Sequence, residues 1–208
     1  MHDLTLREYI EGSILPRYEG YDPAHRLDHI GAVICRSACL AAGFDVDTDM
    51  VYAIAAYHDL GICEGRDTHH LTSARMMRED AALRQWFSED QIETMAQAVE
   101  DHRASAKSAP RSVYGRIVAE ADREIDADTI VRRTIEYGLG NYPQYDRRGQ
   151  FARFKEHIAE KYARGGYIKI WIPEGENARR LEAFRTEIEK PGRLEAMFDY
   201  WYDKLTQK

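Results

Sequence analysis

The dipeptide His58-Asp59 limits what this chain can fold into more than any other feature. It follows the apolar run Val51-Tyr52-Ala53-Ile54-Ala55-Ala56-Tyr57 and precedes Leu60-Gly61. The run is long enough for about two helical turns, and Gly61 reads as its C-terminal stop. An imidazole and a carboxylate therefore stand side by side at the end of a buried helix. Neighbouring helical residues point about 100° apart, so one packed face does not account for both. Burying either group without a partner costs several kcal/mol. Both are good donors to zinc, iron, manganese or nickel, and a bound ion would offset that cost. The plain alternative is a histidine bonded to its own neighbour or to a backbone carbonyl.

The pair has company. Of eight histidines, His25, His29, His58, His69 and His70 lie within helix-sized distances of one another, and His102 follows one helix later. His29 opens an amphipathic stretch to Ala42, with apolar residues at Ile30, Val33, Ile34, Ala38 and Ala41. His102 ends a stretch in which Ile92, Met95, Ala96 and Val99 show the spacing of a helix face. Asp122 closes the apolar run Ile117-Val118-Ala119. Four helices would each bring a metal-type ligand to an end or an inner face, as helical bundles do when they build metal sites.

The ordered set resembles the HD-domain superfamily of metal-dependent phosphohydrolases. The resemblance is carried by His25-Arg26-Leu27-Asp28-His29-Ile30, His58-Asp59-Leu60-Gly61, His69-His70-Leu71-Thr72-Ser73-Ala74, Asp101-His102-Arg103 and Ala119-Glu120-Ala121-Asp122, over about residues 22–130. It implies an all-α bundle in which His29, His58, Asp59 and Asp122 ligate a primary metal. Two-metal members of the superfamily add two histidines between the His-Asp pair and the last Asp. His102 fits the second of these, and His69 the first, with its neighbour His70 as the alternative. In such members the Asp59 carboxylate bridges both ions. The implied cofactor is one or two divalent transition-metal ions, Fe, Mn, Ni, Zn or Co, and the expected catalytic residues are Asp59, His102 and, from its place directly after His102, Arg103.

Other titratable groups have more ordinary readings beside the functional ones. His25 is a substrate-contacting or supporting residue, or a helix-start histidine bonded to backbone. His2 and His157 read as surface residues. Arg26, Arg66, Arg103, Lys107 and Arg123 lie beside the proposed ligands in sequence and could bind phosphate, with Arg103 the first choice; taken singly, each is a solvated charge by default. Asp126 and Asp128 read as turn and cap residues. Cys35 and Cys39, one helical turn apart, read as core-facing small residues, and Cys63 has no Cys-x-x-Cys to support thiolate ligation.

A chain of 208 residues can bury one sizeable core, and 31% charged with 44% hydrophobic residues is an ordinary globular balance. The expectation is a single HD-type domain over 1–208, its metal-binding core at about 22–130 and a helical elaboration at about 141–208. A net charge of -7 argues against broad nucleic-acid binding. No apolar run approaches a membrane span, and the odd cysteine count fits a reduced, cytoplasmic protein.

The pattern is helical nearly throughout: Leu4–Tyr18 interrupted near Pro16, a second helix introduced by Asp22-Pro23 and ending at Gly43, and a third capped by Asp47 or Thr48. His69–Arg84 follows, in one or two pieces, and Ser88-Glu89-Asp90-Gln91 is a capping box. Ser112 caps the helix of Asp122. Asp128–Tyr137 is stopped by Gly138 and Gly140, then come Phe151–Ala163, Glu174–Lys190 and Arg193–Leu205. Tyr167–Ile172 alone alternates like a strand, either one short strand of a pair or an extended connector. The aromatic residues crowded into the tail serve core packing or a nucleobase stack, and Phe198–Tyr202 offers a homodimer interface.

Bound divalent ions would lower the pKa of a water and polarise a phosphoryl oxygen. The expected activity is hydrolysis of a small phosphate ester or anhydride, a nucleotide first. The alternatives are an HD-type di-iron oxygenase with the same ligand order, and a non-catalytic ligand-binding HD protein. A serine elbow and a Gly-rich phosphate loop are both missing from the sequence.

Overall fold

The computed structural model describes residues 4–21, 27–104, 106 and 108–207. His2, Asp22, Pro23, His25, Arg26 and Lys107, to which the sequence assigns roles, lie outside the described residues. The fold is all-α, with ten α-helices and no strand among the described residues. The chain divides into two compact units, Met1–Arg123 and Glu124–Lys208.

The first unit contains α1 (Leu6–Tyr9), α2 (Leu27–Ala41), α3 (Thr48–Tyr57), α4 (His69–Glu79), α5 (Glu89–Asp101) and α6 (Val113–Asp122). Helix α3 is its centre and packs against α2, α5 and α6. Ala53, Ile54, Ala55, Ala56 and Tyr57 are fully buried in succession. A helix that is apolar all round belongs inside other helices. Asp47 starts α3 by accepting from the Asp49 and Met50 amides. The capping box at Ser88 and Gln91 starts α5, and Ser112 starts α6.

Several expectations change here. The N-terminal stretch is a chain of three short pieces: α1, a π-helical turn over Ile10–Ile14 and a 3-10 turn over Leu15–Tyr18. Its buried residues, Leu6, Ile10, Ile14 and Tyr18, recur every four positions. On an α-helix that row would drift about 40° per step. The wider π turn keeps the row facing the core. On α2 the buried face is Ile30, Val33, Ser37 and Ala41, so Cys35 and Cys39 fall on the exposed side and are not core-facing. Gly61 does not stop α3, which ends at Tyr57 with His58 as its cap. Instead Gly61 lies under α4: a Cβ there would stand 2.5 Å from the His69 carbonyl oxygen and 2.5 Å from the Ser73 amide nitrogen. The Gly61 amide donates to Ser73 Oγ at 2.8 Å. The glycine sets how closely α4 approaches the His58-Asp59 turn.

The second unit contains α7 (Ala127–Asn141), α8 (Arg147–Lys161), α9 (Glu176–Ile188) and α10 (Arg193–Thr206). Phe154, Ile158, Tyr162, Phe184 and Phe198 are in its core, the packing use of the tail aromatics. His157 is partly buried on α8 rather than a surface residue, and burial pushes its imidazole down to about 4. Asp126, not Asp128, caps α7, and Asp128 accepts from Trp201 Nε1 at 3.3 Å. Helix α7 runs through Gly138 and Gly140 because Gln150 of α8 donates to the Gly138 and Tyr142 carbonyls, at 3.2 and 2.8 Å. A Cβ at Gly138 would stand 2.5 Å from Gln150 Oε1. That atom and Arg153 Nη2 and Nε, at 2.7 and 2.8 Å, are the ends of flexible side chains, so Gly138→Ala should cost at most about 1 kcal/mol in urea unfolding, the low end for overpacking; a larger loss would show that Gln150 and Arg153 cannot step aside. Tyr167–Ile172 is a connector and not a strand. Its Tyr167 and Ile168 amides donate to the Glu160 and Lys161 carbonyls, so they close the end of α8 instead of pairing with a second strand.

Candidate metal centre

Five helix ends in the first unit converge. His29 lies in the first turn of α2, His58 and Asp59 follow α3, His69 begins α4, His102 caps α5, and Asp122 is the last residue of α6. An aspartate at a helix C-terminus opposes the helix dipole. Functional sites are where such local conflicts are expected. His58, His102 and Asp59 are buried, at 0, 2 and 4% exposure.

The Asp59 carboxylate divides the cluster into two faces. Its Oδ2 lies 3.3 Å from His58 Nε2 and 3.6 Å from His29 Nε2. Asp122 Oδ1 completes that face, 3.2 Å from His29 Nε2 and 3.7 Å from His58 Nε2. Asp59 Oδ1 lies 3.3 Å from His69 Nε2 and 3.5 Å from His102 Nε2. The ligand-type atoms of His29, His58 and Asp59, and separately of Asp59, His69 and His102, are close enough together to hold a metal ion.

The rings are oriented by their own backbone. Nδ1 of His58, His69 and His102 meets the carbonyl of the residue three positions earlier: Ala55 at 2.7 Å, Arg66 at 2.7 Å and Val99 at 2.6 Å. A carbonyl only accepts, so each Nδ1 carries a proton and each ring turns its Nε2 inward. His69 Nε2 and His102 Nε2 then face one another at 3.1 Å. Two lone pairs at that distance need a cation or a shared proton between them. His58 Nε2 is buried and has no hydrogen-bond partner among the described residues. This donor set, imidazole nitrogen plus carboxylate oxygen, fits a divalent transition metal.

The charges agree with the geometry. Burial opposes a charged His58, but the Asp59 and Asp122 carboxylates outweigh it and push the imidazole up to about 9. Burial likewise opposes ionised Asp59, yet His58 and His102 hold its carboxyl well below the usual range. Asp122 is also held low against burial, chiefly by its hydrogen bond with His29. Burial and the neighbouring His102 push His69 down.

The structure thus brings His29, His58, Asp59, His69, His102 and Asp122 together. His70 is in neither of the two donor groups: its ring is 5.6 Å from that of His69, and burial pushes it down to about 4. Arg103 donates from Nη1 to the Asp67 carbonyl at 2.5 Å, which places its guanidinium beside the first turn of α4. Arg66 is exposed. Arg123 is buried and donates to the Ala119 carbonyl within α6, so it is committed to the fold. Cys63 donates to the Leu60 carbonyl at 3.4 Å and stays out of the cluster. Sequence reasoning missed the hydroxyls around the His58-Asp59 turn: Tyr18, Tyr21 and Tyr57. Their partners are distant in sequence, and no local pattern announces them.

A family model for the HD domain matches residues 26–125, a span that includes all six clustered residues. Neither the curated proteins nor the solved structures contain a match to the chain.

Proposed function

The chain carries an HD domain, and from that premise we propose that it is a metal-dependent phosphohydrolase acting on a small phosphate ester or anhydride, a nucleotide first. The observation that carries the reading is the two-faced Asp59 carboxylate, with two donor sets on its two oxygens. In this reading His29, His58, Asp59 and Asp122 hold one ion, and His69 and His102 hold a second with Asp59 shared. Helices α7–α10 elaborate the HD domain. When bound, the ions supply a nucleophilic water at neutral pH and polarise a phosphoryl oxygen.

The protein's own groups do the rest. Asp59 keeps the two sets of imidazoles at a fixed spacing and contributes negative charge to both. The Nδ1 hydrogen bonds hold the rings so that no rotation is needed as the reaction proceeds. Arg103, whose guanidinium meets the Asp67 carbonyl just before α4, would bind a substrate phosphate oxygen with its remaining N–H groups. No helix among the described residues is long and apolar enough to cross a membrane.

The test is a phosphatase screen over nucleotides and sugar phosphates with protein prepared without oxygen. A chelator should abolish phosphate release, and Mn²⁺, Fe²⁺ or Ni²⁺ should restore it. Arg103→Ala should raise KM several-fold and leave kcat nearly unchanged, because a phosphate contact made equally in ground and transition states contributes uniform binding. Oxygen uptake on a non-phosphorylated substrate, with no phosphate released from any compound screened, would replace this reading with the oxidative one.

A further inference from the structure

The stretch 4–21 precedes the matched span at 26–125, yet it reaches the His58-Asp59 turn through phenol hydroxyls. Tyr18 Oη donates to the Ala56 carbonyl at 2.8 Å, in a fully buried contact. Tyr21 Oη donates to the Leu60 carbonyl at 2.6 Å. Ala56 lies two residues before His58, and Leu60 directly follows Asp59, so the two bonds bracket the pair. Tyr9 Oη and Tyr57 Oη both donate to Asp80 Oδ2, at 2.6 and 2.5 Å, which ties the residue before His58 to the end of α4.

A helix end leaves its last carbonyls without intrahelical donors. At the end of α3 the Ala55 carbonyl is taken by His58 Nδ1 and the Ala56 carbonyl by Tyr18. The Tyr18 and Tyr21 rings meet edge to face, 5.1 Å between centroids at 63°, so each fixes the other's orientation. Tyr18 is anchored as the last member of the row Leu6, Ile10, Ile14 and Tyr18, which the π turn keeps facing inward.

We infer that Tyr18 and Tyr21 are positioning residues for the proposed metal ligands His58 and Asp59. Their two hydrogen bonds hold the turn at the tilt that presents Asp59 Oδ2 to His29, His58 and Asp122 and Oδ1 to His69 and His102. The inference rests on the metal-ligand reading above. Outer hydrogen bonds that orient ligands are typically worth about 10–100-fold in metal affinity. Bonds acting through the backbone belong at the lower end, so each hydroxyl should be worth about tenfold.

The test uses the full chain and Mn²⁺ as the probe, with free Mn²⁺ followed by electron paramagnetic resonance and folding by circular dichroism and melting. Tyr18→Phe and Tyr21→Phe should stay folded and each bind Mn²⁺ about tenfold more weakly, and the double variant should be weaker still. Tyr114→Phe is the control. Its hydroxyl accepts from the Asp47 amide at 3.0 Å, at the opposite end of α3. That variant should lose melting temperature and keep its Mn²⁺ affinity, which separates a general loosening of the fold from a loss of positioning. Wild-type affinity in both single variants, or an equal loss in Tyr114→Phe, would overturn the inference while leaving the metal reading intact. A wild-type chain that takes up no Mn²⁺ would overturn both. The single variants decide the question if the double variant does not fold.

Discussion

Asp59→Ala should empty both faces of the cluster. The residue contributes Oδ2 to one donor set and Oδ1 to the other, so on the proposed reading its loss takes an anionic ligand from both ions. Four buried or partly buried imidazoles, His29, His58, His69 and His102, would then be left with Asp122 as the one carboxylate of the cluster, and two Nε2 atoms 3.1 Å apart would have no carboxylate between them and the first face. Changes to residues that merely support ligands cost about 10–100-fold in affinity or activity. Removing a shared ligand should exceed that range, with metal content near zero by elemental analysis and phosphate release lost. Asp59→Asn, which keeps the shape and removes the charge, should behave alike and checks that the loss is not one of packing. Full metal content in either variant would sink the assignment of Asp59.

Gly61→Ala should do something narrower. The new Cβ would stand 2.5 Å from the His69 carbonyl oxygen and the Ser73 amide nitrogen, and 2.6 Å from Thr72 Cβ. Two of these are backbone atoms and cannot rotate aside, so α4 has to retreat. Overpacking of this kind costs about 1–3 kcal/mol. The retreat carries His69 Nε2 away from Asp59 Oδ1, now 3.3 Å away. His29, His58 and Asp122 are not on α4. The expected variant is folded, melts lower, and retains one ion per chain of two. Two ions at wild-type affinity, with an unchanged melting temperature, would show that Gly61 does not set this distance.

The clustering of these histidines and aspartates was legible in the sequence because its members break local rules. A His-Asp pair after seven apolar residues, and an aspartate closing an apolar helix, conflict with ordinary burial and dipole preferences. Such conflicts survive without knowledge of the tertiary structure. The choice between His69 and His70 was not legible, since both sit in the first turn of one helix and only the backbone of α4 decides which ring faces Asp59. Gly61 was misread for a related reason. A glycine after an apolar run has the appearance of a stop, whereas the contact that requires it comes from residues 69–73. Likewise Gly138 looked like a terminator and is a seat for Gln150. The cysteine pair on α2 was misplaced because Ser37, a polar residue, is on the buried face, and periodicity that counts only apolar residues rotates the helix by about one position. The phenol bonds to Ala56 and Leu60 span 38 and 39 residues, a separation at which no sequence pattern reports.

Three rings each use their one donor on the carbonyl three residues back. An arriving cation therefore leaves those three hydrogen bonds in place and finds the rings already turned toward it. Little of its binding free energy would go into rearrangement, and the remainder would appear as resistance to unfolding. By mass action a ligand at a thousand times its Kd adds about 4 kcal/mol to the folded state, a large share of what holds a domain of this size together. The free concentration of the ion would then regulate how much of the chain persists as well as how fast it turns over substrate.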